Sequence, residues 1–263
     1  MLPTELKDYA DVFSREVSNI LAPHQPYDHK IHLDNSEGPG AIGYSPLRHQ
    51  STLKLQETKQ FLEKNLQRGF IVPSQSPFTS PILFVKKPNG GLRFCINYWR
   101  LNNLTHKDWY PLPLISETLL RLFRVQVYTK LDIRQAFHRI RMDPDSEDLT
   151  TFRTRYGAYK CKVLLKGLTN RPATYQHYMN DILFNYLDDF CIAYLDDILI
   201  YLEDPLEHSE HVQKVLRQLR NAGLQADIKK SEFGVTHTKF LGFIIFTGGI
   251  EVDLAKIAVV RDW

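Results

Sequence analysis

Apolar positions along the chain follow two periods, one typical of helices and one typical of strands. The helical period predicts helices over residues 51–69, 112–123, 172–187 and 205–222. In the first of these, Leu55, Leu62 and Leu66 share one face, while Ser51 and Gly69 stand where an N-cap and a C-cap are expected. The pattern therefore predicts amphipathic helices that pack against other elements.

Shorter apolar runs at strand spacing lie between the predicted helices. They cover residues 80–87, 92–98, 125–133, 190–194, 198–201, 240–246 and 250–252, and a charged run of the same kind covers residues 139–155 around a turn at Asp143-Pro144-Asp145. Tight turns join several of these runs, at residues 88–91, 195–197 and 247–249. Because helices are mixed with adjacent hairpins, the order predicts an α+β fold rather than alternating βαβ units.

The first 50 residues are rich in Pro, His and Gly and show no sustained period, which predicts an extended lead-in segment. No uncharged apolar stretch approaches the roughly 18 residues that a membrane helix needs, so the sequence predicts a soluble protein without a membrane partner. Cys95, Cys161 and Cys191 are far apart and form no CxxC pair. This spacing argues against a disulfide framework and a zinc site, and it predicts a reducing, intracellular compartment.

The charge is unevenly distributed along the chain. The 263 residues carry 33 Lys and Arg against 30 Asp and Glu, a net charge of +3. Residues 86–171 alone carry 17 basic and 7 acidic side chains, a local charge of +10, whereas residues 172–263 have a local charge of −6. The asymmetry indicates a polyanionic partner for the middle of the chain and cations for its acidic part.

Two adjacent carboxylates, Asp196 and Asp197, lie in the turn between two apolar strands. Turns favour Asp on their own account, so the pair has an ordinary structural explanation as well as a functional one. Asp132 ends a separate predicted strand. Three carboxylates at the ends of neighbouring strands would form an oxygen-ligand site for two divalent cations, the arrangement used for displacement at phosphorus.

Two basic features accompany the acidic site. Lys86, Lys87 and Arg93 flank the Gly-rich turn of the first hairpin, where flexible cations and backbone N–H groups could grip a triphosphate; a solvated hairpin tip is the alternative. Further cations, many of them at every second residue, predict a basic face of β-strands that follows a phosphate backbone, with a solvated face as the alternative. They are Arg139, Arg141, Arg153, Arg155, Lys160, Lys162, Lys166 and Arg171.

The order of these motifs resembles the reverse transcriptase of gypsy-type long-terminal-repeat retrotransposons. The resemblance covers essentially the whole chain, from a lead-in at Leu6–Phe13 and Pro26–Leu33 onward. The matching segments are FVKKPNGGLRFCINYWRLN (84–102), YPLPLI (110–115), TKLDIRQAFHRI (129–140), FRTRYGAY (152–159), GLTNRPATYQ (167–176), YLDDILIY (194–201) and FLGFII (240–245).

The resemblance implies a right-hand polymerase fold, in which an antiparallel palm sheet is backed by helices. Residues 1–50 would precede a reverse transcriptase domain at 51–263. Its fingers would be formed by residues 51–105 and 139–171, and its palm by residues 106–138 and 172–252. Residues 253–263 would begin a truncated connection to a thumb that is missing.

The resemblance also implies roles for individual residues. Asp132, Asp196 and Asp197, together with the backbone of Ile133, would bind two Mg²⁺ ions, or Mn²⁺ in their place. The nucleotide-binding residues would be Lys86, Arg93, Phe137 and Lys166, with the Phe137 ring clashing with a 2′-hydroxyl, although core packing also explains this ring. The residues at the nucleic acid would be Arg153, Arg155, Phe240, Leu241, Gly242 and Phe243.

The implied activity is RNA-directed DNA polymerisation with an RNA template, a DNA or RNA primer and deoxynucleoside triphosphates. In the family this domain is joined to protease, ribonuclease H and integrase segments, and it acts in a cytoplasmic virus-like particle. The chain departs from the family pattern at Asn97, Trp99, Lys166 and Arg171. These departures leave a second interpretation open, a catalytically silent nucleic-acid-binding remnant, and a purely structural α+β protein is the third.

Overall fold

A computed structural model describes residues 2–34, 38–87, 90–123 and 125–253. The described residues form two compact units. The first unit draws on Met1–Ser18, Tyr110–Ala136 and Tyr175–Trp263, and the second on Asn19–Trp109 and Phe137–Thr174. The chain therefore passes between the units several times, and the residues of the predicted lead-in segment are shared between them.

Five α-helices and twelve β-strands occur in the described residues. The helices are α1 Thr52–Gln67, α2 Trp99–Leu104, α3 Ile115–Arg121, α4 Arg171–Leu183 and α5 Pro205–Asn221. The first six strands are β1 Ile71–Pro73, β2 Ser80–Lys86, β3 Leu92–Ile96, β4 Val127–Asp132, β5 Phe152–Thr154 and β6 Gly157–Cys161. The other six are β7 Cys191–Tyr194, β8 Asp197–Leu202, β9 Glu232–Val235, β10 His237–Phe240, β11 Phe243–Phe246 and β12 Gly249–Val252. Short 3₁₀ helices cover Thr4–Phe13, Val17–Asn19, Pro39–Ile42, Ala136–Arg139, Pro144–Ser146 and Asp148–Thr150.

The first unit is built on a four-stranded antiparallel sheet in the order β7-β8-β4-β9, with a separate three-stranded sheet β10-β11-β12. Helix α5 buries Val212, Val215, Leu216 and Leu219, the apolar side that the helical period predicts. Its N-cap is Asp204, whose side chain accepts a hydrogen bond from the Leu206 N–H. The predicted α+β fold with an antiparallel sheet and helices is confirmed.

The second unit contains a five-stranded sheet in the order β1-β6-β5-β2-β3. Its β2–β3 hairpin is the predicted antiparallel hairpin, although Pro88 and Asn89 of the predicted turn lie outside the described residues. Aromatic rings fill the unit's interior: Phe94 stacks on Phe61 at 3.9 Å and meets Phe152 edge-on at 5.9 Å. These contacts fix helix α1 against the base of the hairpin.

Part of the predicted extended lead-in is helical. In the 3₁₀ helix Thr4–Phe13, the buried residues Leu6, Tyr9 and Val12 recur every third position. This is the period of a 3₁₀ helix, so it matches neither the α-helical nor the strand pattern. The side chain of Arg220 lies over the Tyr9 ring at 4.6 Å and anchors the segment to α5 within the first unit.

The charged run predicted over residues 139–155 forms a strand only at β5, and the turn predicted within it at Asp143-Pro144-Asp145 is present. Upstream of β5, Pro144 starts a 3₁₀ turn that is capped by Asp143, whose side chain accepts a hydrogen bond from the Asp145 N–H. Proline and a capping aspartate favour this predicted turn, so the strand pattern of the charged residues holds only downstream of it, in β5. The run predicted over 240–246 is also divided, because Leu241 and Gly242 adopt φ values of 52° and 89° and form the turn between β10 and β11.

Two further expectations concern membranes and thiols. Among the described residues, no helix combines the length and apolar character needed to cross a bilayer. Cys95, Cys161 and Cys191 carry free thiols. Burial raises the pKa of the Cys161 thiol to about 11, which keeps it protonated at neutral pH.

The stability of the first unit is expected to fall in acid because of His208. This ring is only 5% exposed, its Nε2 lies 2.8 Å from Thr129 Oγ1, and burial lowers its pKa from 6.5 to about 4. Between about pH 6.5 and pH 4, His208 is protonated in the unfolded chain but neutral in the folded chain. The free energy of unfolding therefore falls as the pH falls through this range, by about 3 kcal/mol in all. Urea unfolding across this range measures the loss. In His208→Gln the loss of unfolding free energy in acid should be smaller, whereas in His237→Gln, a change at an exposed position, it should be unchanged. An unchanged acid dependence in His208→Gln would contradict the role given to His208.

Candidate metal and nucleotide sites

The antiparallel register of β4 and β8 brings two of the predicted carboxylates side by side. Asp132 is the last residue of β4 and Asp197 the first of β8, and the two are direct partners across the sheet. Asp196 precedes Asp197 in the turn, and its carbonyl accepts a hydrogen bond from the Ile133 N–H at 2.9 Å. Residues opposite each other in an antiparallel pair share a face, so Asp132 and Asp197 project on the same side.

The acidic turn is held by one buried side chain from helix α4. Gln176 has no exposed surface, and its Oε1 accepts a hydrogen bond from the Leu195 N–H at 2.8 Å. Its Nε2 donates to the Ala193 carbonyl at 2.9 Å. Leu195 adopts φ 53°, a strained value for a residue with a branched side chain. Gln176 therefore stabilises the turn that sets the position of Asp196 and Asp197.

A lysine binds the first carboxylate. Lys230 Nζ lies 3.0 and 3.1 Å from the two carboxylate oxygens of Asp132. Burial raises the pKa of Asp132, Lys230 acts against this rise, and the negative charges of Asp196 and Asp197 add to it. A second lysine, Lys130, lies 3.5 Å from Asp197. The acidic site thus carries its own cations, which the sequence analysis did not identify.

The donor chemistry of this site fits a divalent cation such as Mg²⁺. Carboxylate oxygens are the hard ligands that Mg²⁺ prefers, and Asp132 and Asp197 end and begin paired strands, with Asp196 adjacent in the turn. In the part of the chain that the structure describes, no three His, Cys, Asp or Glu side chains are yet close enough together to hold a metal. Lys230 contacts both oxygens of Asp132, so a cation at this carboxylate would compete with the ion pair.

The basic hairpin does not place the two predicted phosphate ligands together. In the β2–β3 register Val85 is opposite Arg93 and Lys86 is opposite Leu92. Since side chains alternate between the faces of a strand, Lys86 and Arg93 project to opposite faces. Lys87 follows the face of Val85, and its N–H donates to the Gly91 carbonyl at 2.7 Å. Arg93 therefore shares the face of Val85 and, by continued alternation, of Lys87, rather than the face of Lys86.

An arginine covers the aromatic residue predicted to lie under the sugar. The guanidinium carbon of Arg171 lies 3.3 Å from the centre of the Phe137 ring. Beside this pair, burial and the charges of nearby cations, Arg171 first among them, lower the pKa of His138 to about 4. Lys166 is exposed and contributes to the same positive field. Arg171, which departs from the family pattern, therefore covers one face of the Phe137 ring.

Four cations of the predicted basic face have partners within the second unit. Arg139 donates to the Ile20 carbonyl at 2.9 Å, and Arg141 donates to the Ala22 carbonyl at 3.0 Å. Lys160 and Lys162 form ion pairs with the buried Glu147. The prediction that these four cations follow a phosphate backbone is therefore wrong for this structure, because each is used within the second unit.

The other predicted nucleic-acid residues differ in exposure. Phe240 is 1% exposed and packs in the core of the first unit with Tyr128 and Ile245, so its side chain has no surface for a ligand. Leu241, Gly242 and Phe243 are partly exposed at the β10–β11 turn. The prediction of a direct contact is wrong for the Phe240 side chain, which instead supports this turn.

Comparison with protein families and curated proteins gives a consistent result. The family model described as reverse transcriptase (RNA-dependent DNA polymerase) matches residues 85–245. The chain is 37% identical to the retrovirus-related Pol polyprotein from transposon opus of Drosophila melanogaster, over 78% of this chain and 21% of that protein. It is 33% identical to the transposon Tf2-3 polyprotein of Schizosaccharomyces pombe, over 100% of this chain and 20% of that protein. The chain thus spans about one fifth of the length of these relatives.

Solved structures with the same fold include foamy viral proteins. The foamy viral protease-reverse transcriptase in complex with double-stranded DNA matches with a TM-score of 0.85 at 23% identity, over 98% of this chain and 44% of that one. The native prototype foamy virus protease-reverse transcriptase matches with a TM-score of 0.77 at 25% identity, over 94% of this chain and 32% of that one.

Proposed function

Because the chain belongs to the reverse transcriptase (RNA-dependent DNA polymerase) family, we propose that it adds deoxynucleotides to a primer 3′-hydroxyl under the direction of an RNA template. In this proposal it acts as part of the Pol polyprotein of a gypsy-type long-terminal-repeat retrotransposon. Its similarity to two transposon polyproteins supports the assignment. Intracellular action in a cytoplasmic particle, next to protease, ribonuclease H and integrase segments, is part of the same proposal.

The observation that carries the proposal is the β4–β8 register, which sets Asp132 directly opposite Asp197 with Asp196 beside them. In the proposal these carboxylates, with the backbone of Ile133, hold two Mg²⁺ or Mn²⁺ ions. When bound, such ions lower the pKa of a primer hydroxyl and neutralise a leaving pyrophosphate. Gln176 keeps the turn in place through the Leu195 N–H, and Lys230 and Lys130 balance the carboxylate charges before the ions arrive.

The second unit supplies the proposed contacts to the incoming nucleotide. Arg93 and Lys87, which share one face of the hairpin, bind the triphosphate, since guanidinium and ammonium groups form charge-assisted hydrogen bonds with phosphate oxygens. The ring of Phe137 selects the deoxyribose, with the exposed Lys166 near the phosphates. Arg171 lies on this ring and has to swing away before a sugar can contact it.

Replacing Lys87 is expected to impair nucleotide binding more than replacing Lys86. Lys87→Ala should raise the KM for deoxynucleoside triphosphate about tenfold, the effect of losing about 1.4 kcal/mol of binding, because Lys87 shares the Arg93 face. Lys86→Ala is the matched control, with the same charge change one residue earlier on the opposite face. Steady-state incorporation kinetics measure both values, and a larger KM change in Lys86→Ala would reverse the assignment.

The proposed function is tested by template-directed primer extension with the full chain. On a poly(rA) template with an oligo(dT) primer, we expect Mg²⁺- or Mn²⁺-dependent incorporation of dTTP but not of dATP, and inhibition by EDTA. Incorporation of both nucleotides at equal rates would indicate activity without a template. Tight binding of the primed template without incorporation at any divalent cation concentration would reject the polymerase and favour the silent nucleic-acid-binding remnant.

A further inference from the structure

The first unit contains a cavity of about 480 Å³ that the sequence analysis did not identify. It lies at the end of β8, where Leu202 is paired with Val127 at the start of β4. Leu202 lines the cavity, and so does Val125, just before β4. Asp197 begins β8 at the other end, about 16 Å away at about 3.3 Å per residue. The cavity is therefore separate from the candidate metal site.

The lining of this cavity is acidic. Five of the described residues that line it are Asp or Glu, and Arg121 is the only cation among them. Arg121 Nη1 lies 3.3 Å from Asp188 Oδ1 and donates to the Asp188 carbonyl at 2.9 Å, so this arginine balances one carboxylate. Within the described part of the chain, the exposed Glu203 and Glu207 form no ion pair. Carboxylates concentrated in one cavity attract a cation.

A buried hydroxyl in the same lining lacks a partner. Tyr201 lines the cavity and is only 6% exposed, and its Oη forms no hydrogen bond within the described residues. Burial raises the pKa of Tyr201 to about 12, which keeps the hydroxyl protonated at neutral pH. Its oxygen can accept a hydrogen bond from an N–H group. Because an unpaired buried hydroxyl is unfavourable, a ligand that donates to it would be stabilised.

The carboxylates and the hydroxyl together favour an organic cation over a metal ion. Among the described residues, no three His, Cys, Asp or Glu side chains are close enough together to hold a metal. A guanidinium carries five N–H donors in a planar fork, so it can reach several separate acceptors at once. The contact of Arg121 with Asp188 shows that this lining accommodates a guanidinium.

Exposed apolar side chains beside the cavity indicate that the cation belongs to a polypeptide. Phe123 is two residues from both Arg121 and Val125 in the chain, and it is 61% exposed. Leu206 precedes Glu207 and is 89% exposed. Large exposed apolar side chains around a polar site are typical of protein interfaces, in which arginine is enriched. A free polyamine has no side chains with which to cover them.

We propose that this cavity binds an arginine side chain of a partner protein, and that apolar residues flank this arginine in the partner's sequence. Glu203, Glu207 and the Tyr201 hydroxyl bind the guanidinium, while Phe123 and Leu206 contact the flanking residues. The proposal does not rest on the polymerase function, because none of these residues belongs to the candidate metal or nucleotide sites.

The experiment measures binding of a fluorescently labelled peptide of alternating arginine and leucine to the full chain. Anisotropy is recorded at about 50 mM salt, where charges are only weakly screened. The main test variant is Glu203→Gln with Glu207→Gln, which leaves the N-cap of α5 in place. The matched control is Glu5→Gln with Glu251→Gln, the same loss of two exposed negative charges in the same unit. A second test variant, Tyr201→Phe, removes only the hydroxyl.

The double variant should bind the peptide at least about tenfold more weakly, and the control should bind like the unmodified chain. Tyr201→Phe should bind about fivefold more weakly with no decrease in its unfolding temperature, because the hydroxyl has no partner to lose within the described residues. A purely structural role of Tyr201 would lower the unfolding temperature and leave peptide binding unchanged. That result, unchanged binding by the double variant, or an equal loss in the control would overturn the proposal.

Three further measurements test the identity of the occupant. A peptide with glutamate in place of arginine should not bind, and equal binding of this peptide would overturn the role of the cation. Spermine should displace the arginine peptide only weakly, whereas binding as tight as that of the peptide would assign the cavity to free polyamines instead. Sedimentation of the chain without peptide should be the same for the unmodified chain and the double variant. Self-association of the unmodified chain alone would make a second copy the occupant and overturn the assignment to a partner protein.

Discussion

Asp197→Asn is expected to reduce primer extension by about 1,000-fold or more, equivalent to about 4 kcal/mol of transition-state stabilisation. Asn has nearly the same shape as Asp, so the β4–β8 pairing of Asp132 with residue 197 is preserved. What is lost is one negative charge and one anionic oxygen donor at the proposed cation site, and metal-assisted phosphoryl transfer depends on such charges. Asp196→Asn should have a similar effect. Single-nucleotide incorporation under pre-steady-state conditions measures the loss.

The matched control is Asp189→Asn, which makes the same substitution at an exposed position of the first unit. It should retain the activity of the unmodified chain. If Asp197→Asn and Asp189→Asn incorporate nucleotides at equal rates, Asp197 has no part in catalysis. Raising the Mn²⁺ concentration should recover part of the activity of Asp197→Asn if the defect is weaker metal binding.

Gln176→Leu is expected to be strongly destabilising and, in addition, to inactivate the folded fraction. The substitution leaves the Leu195 N–H and the Ala193 carbonyl without their buried partner. Each such group costs about 1–3 kcal/mol, so the free energy of unfolding should fall by about 4 kcal/mol. Because Leu195 is held at φ 53° by this contact, the turn should relax and displace Asp196. Urea unfolding and incorporation kinetics below the midpoint measure the two effects separately.

The control for this change is Gln56→Leu, an identical substitution on the exposed side of α1. Its unfolding free energy should change by less than about 0.5 kcal/mol. A stable Gln176→Leu protein with normal activity would contradict the role given to this side chain. A stable but inactive protein would keep the positioning role and reject only the energetic estimate.

Local pattern predicted most of the longer helices and strands and the carboxylates of the candidate site, but not short elements such as β1 Ile71–Pro73, α2 Trp99–Leu104 and β9 Glu232–Val235. Asp132 and Asp197 each adjoin an apolar run, and a run bounded by a polar residue predicts the end of a strand. The helices also followed from their period, with small differences at the ends: the helix predicted over 112–123 is confined to Ile115–Arg121. The helix Thr4–Phe13 was also not predicted, because its three-residue period lies between the helical and strand patterns.

The partners of the site residues could not be predicted, because they depend on contacts between distant parts of the chain. Gln176 reaches a backbone group 19 residues away, and Lys230 binds a carboxylate 98 residues away. Lys230 belongs to no pattern that would mark it in advance, and Gln176 ends the matching segment 167–176 without a role being implied for it. For the same reason, the alternation of Arg139 and Arg141 indicated a binding face, whereas both side chains bind carbonyl groups 119 residues away.

The direct pairing of Asp132 with Asp197 has a consequence for the evolution of this fold. Like charges placed opposite each other weaken an antiparallel sheet, by a few tenths of a kcal/mol up to about 1 kcal/mol. Lys230, which binds Asp132, and Lys130, which lies beside Asp197, offset part of this repulsion. Random mutation selected only for thermal resistance should therefore tolerate neutral residues in place of the carboxylate pair, whereas selection for the proposed activity should keep both carboxylates.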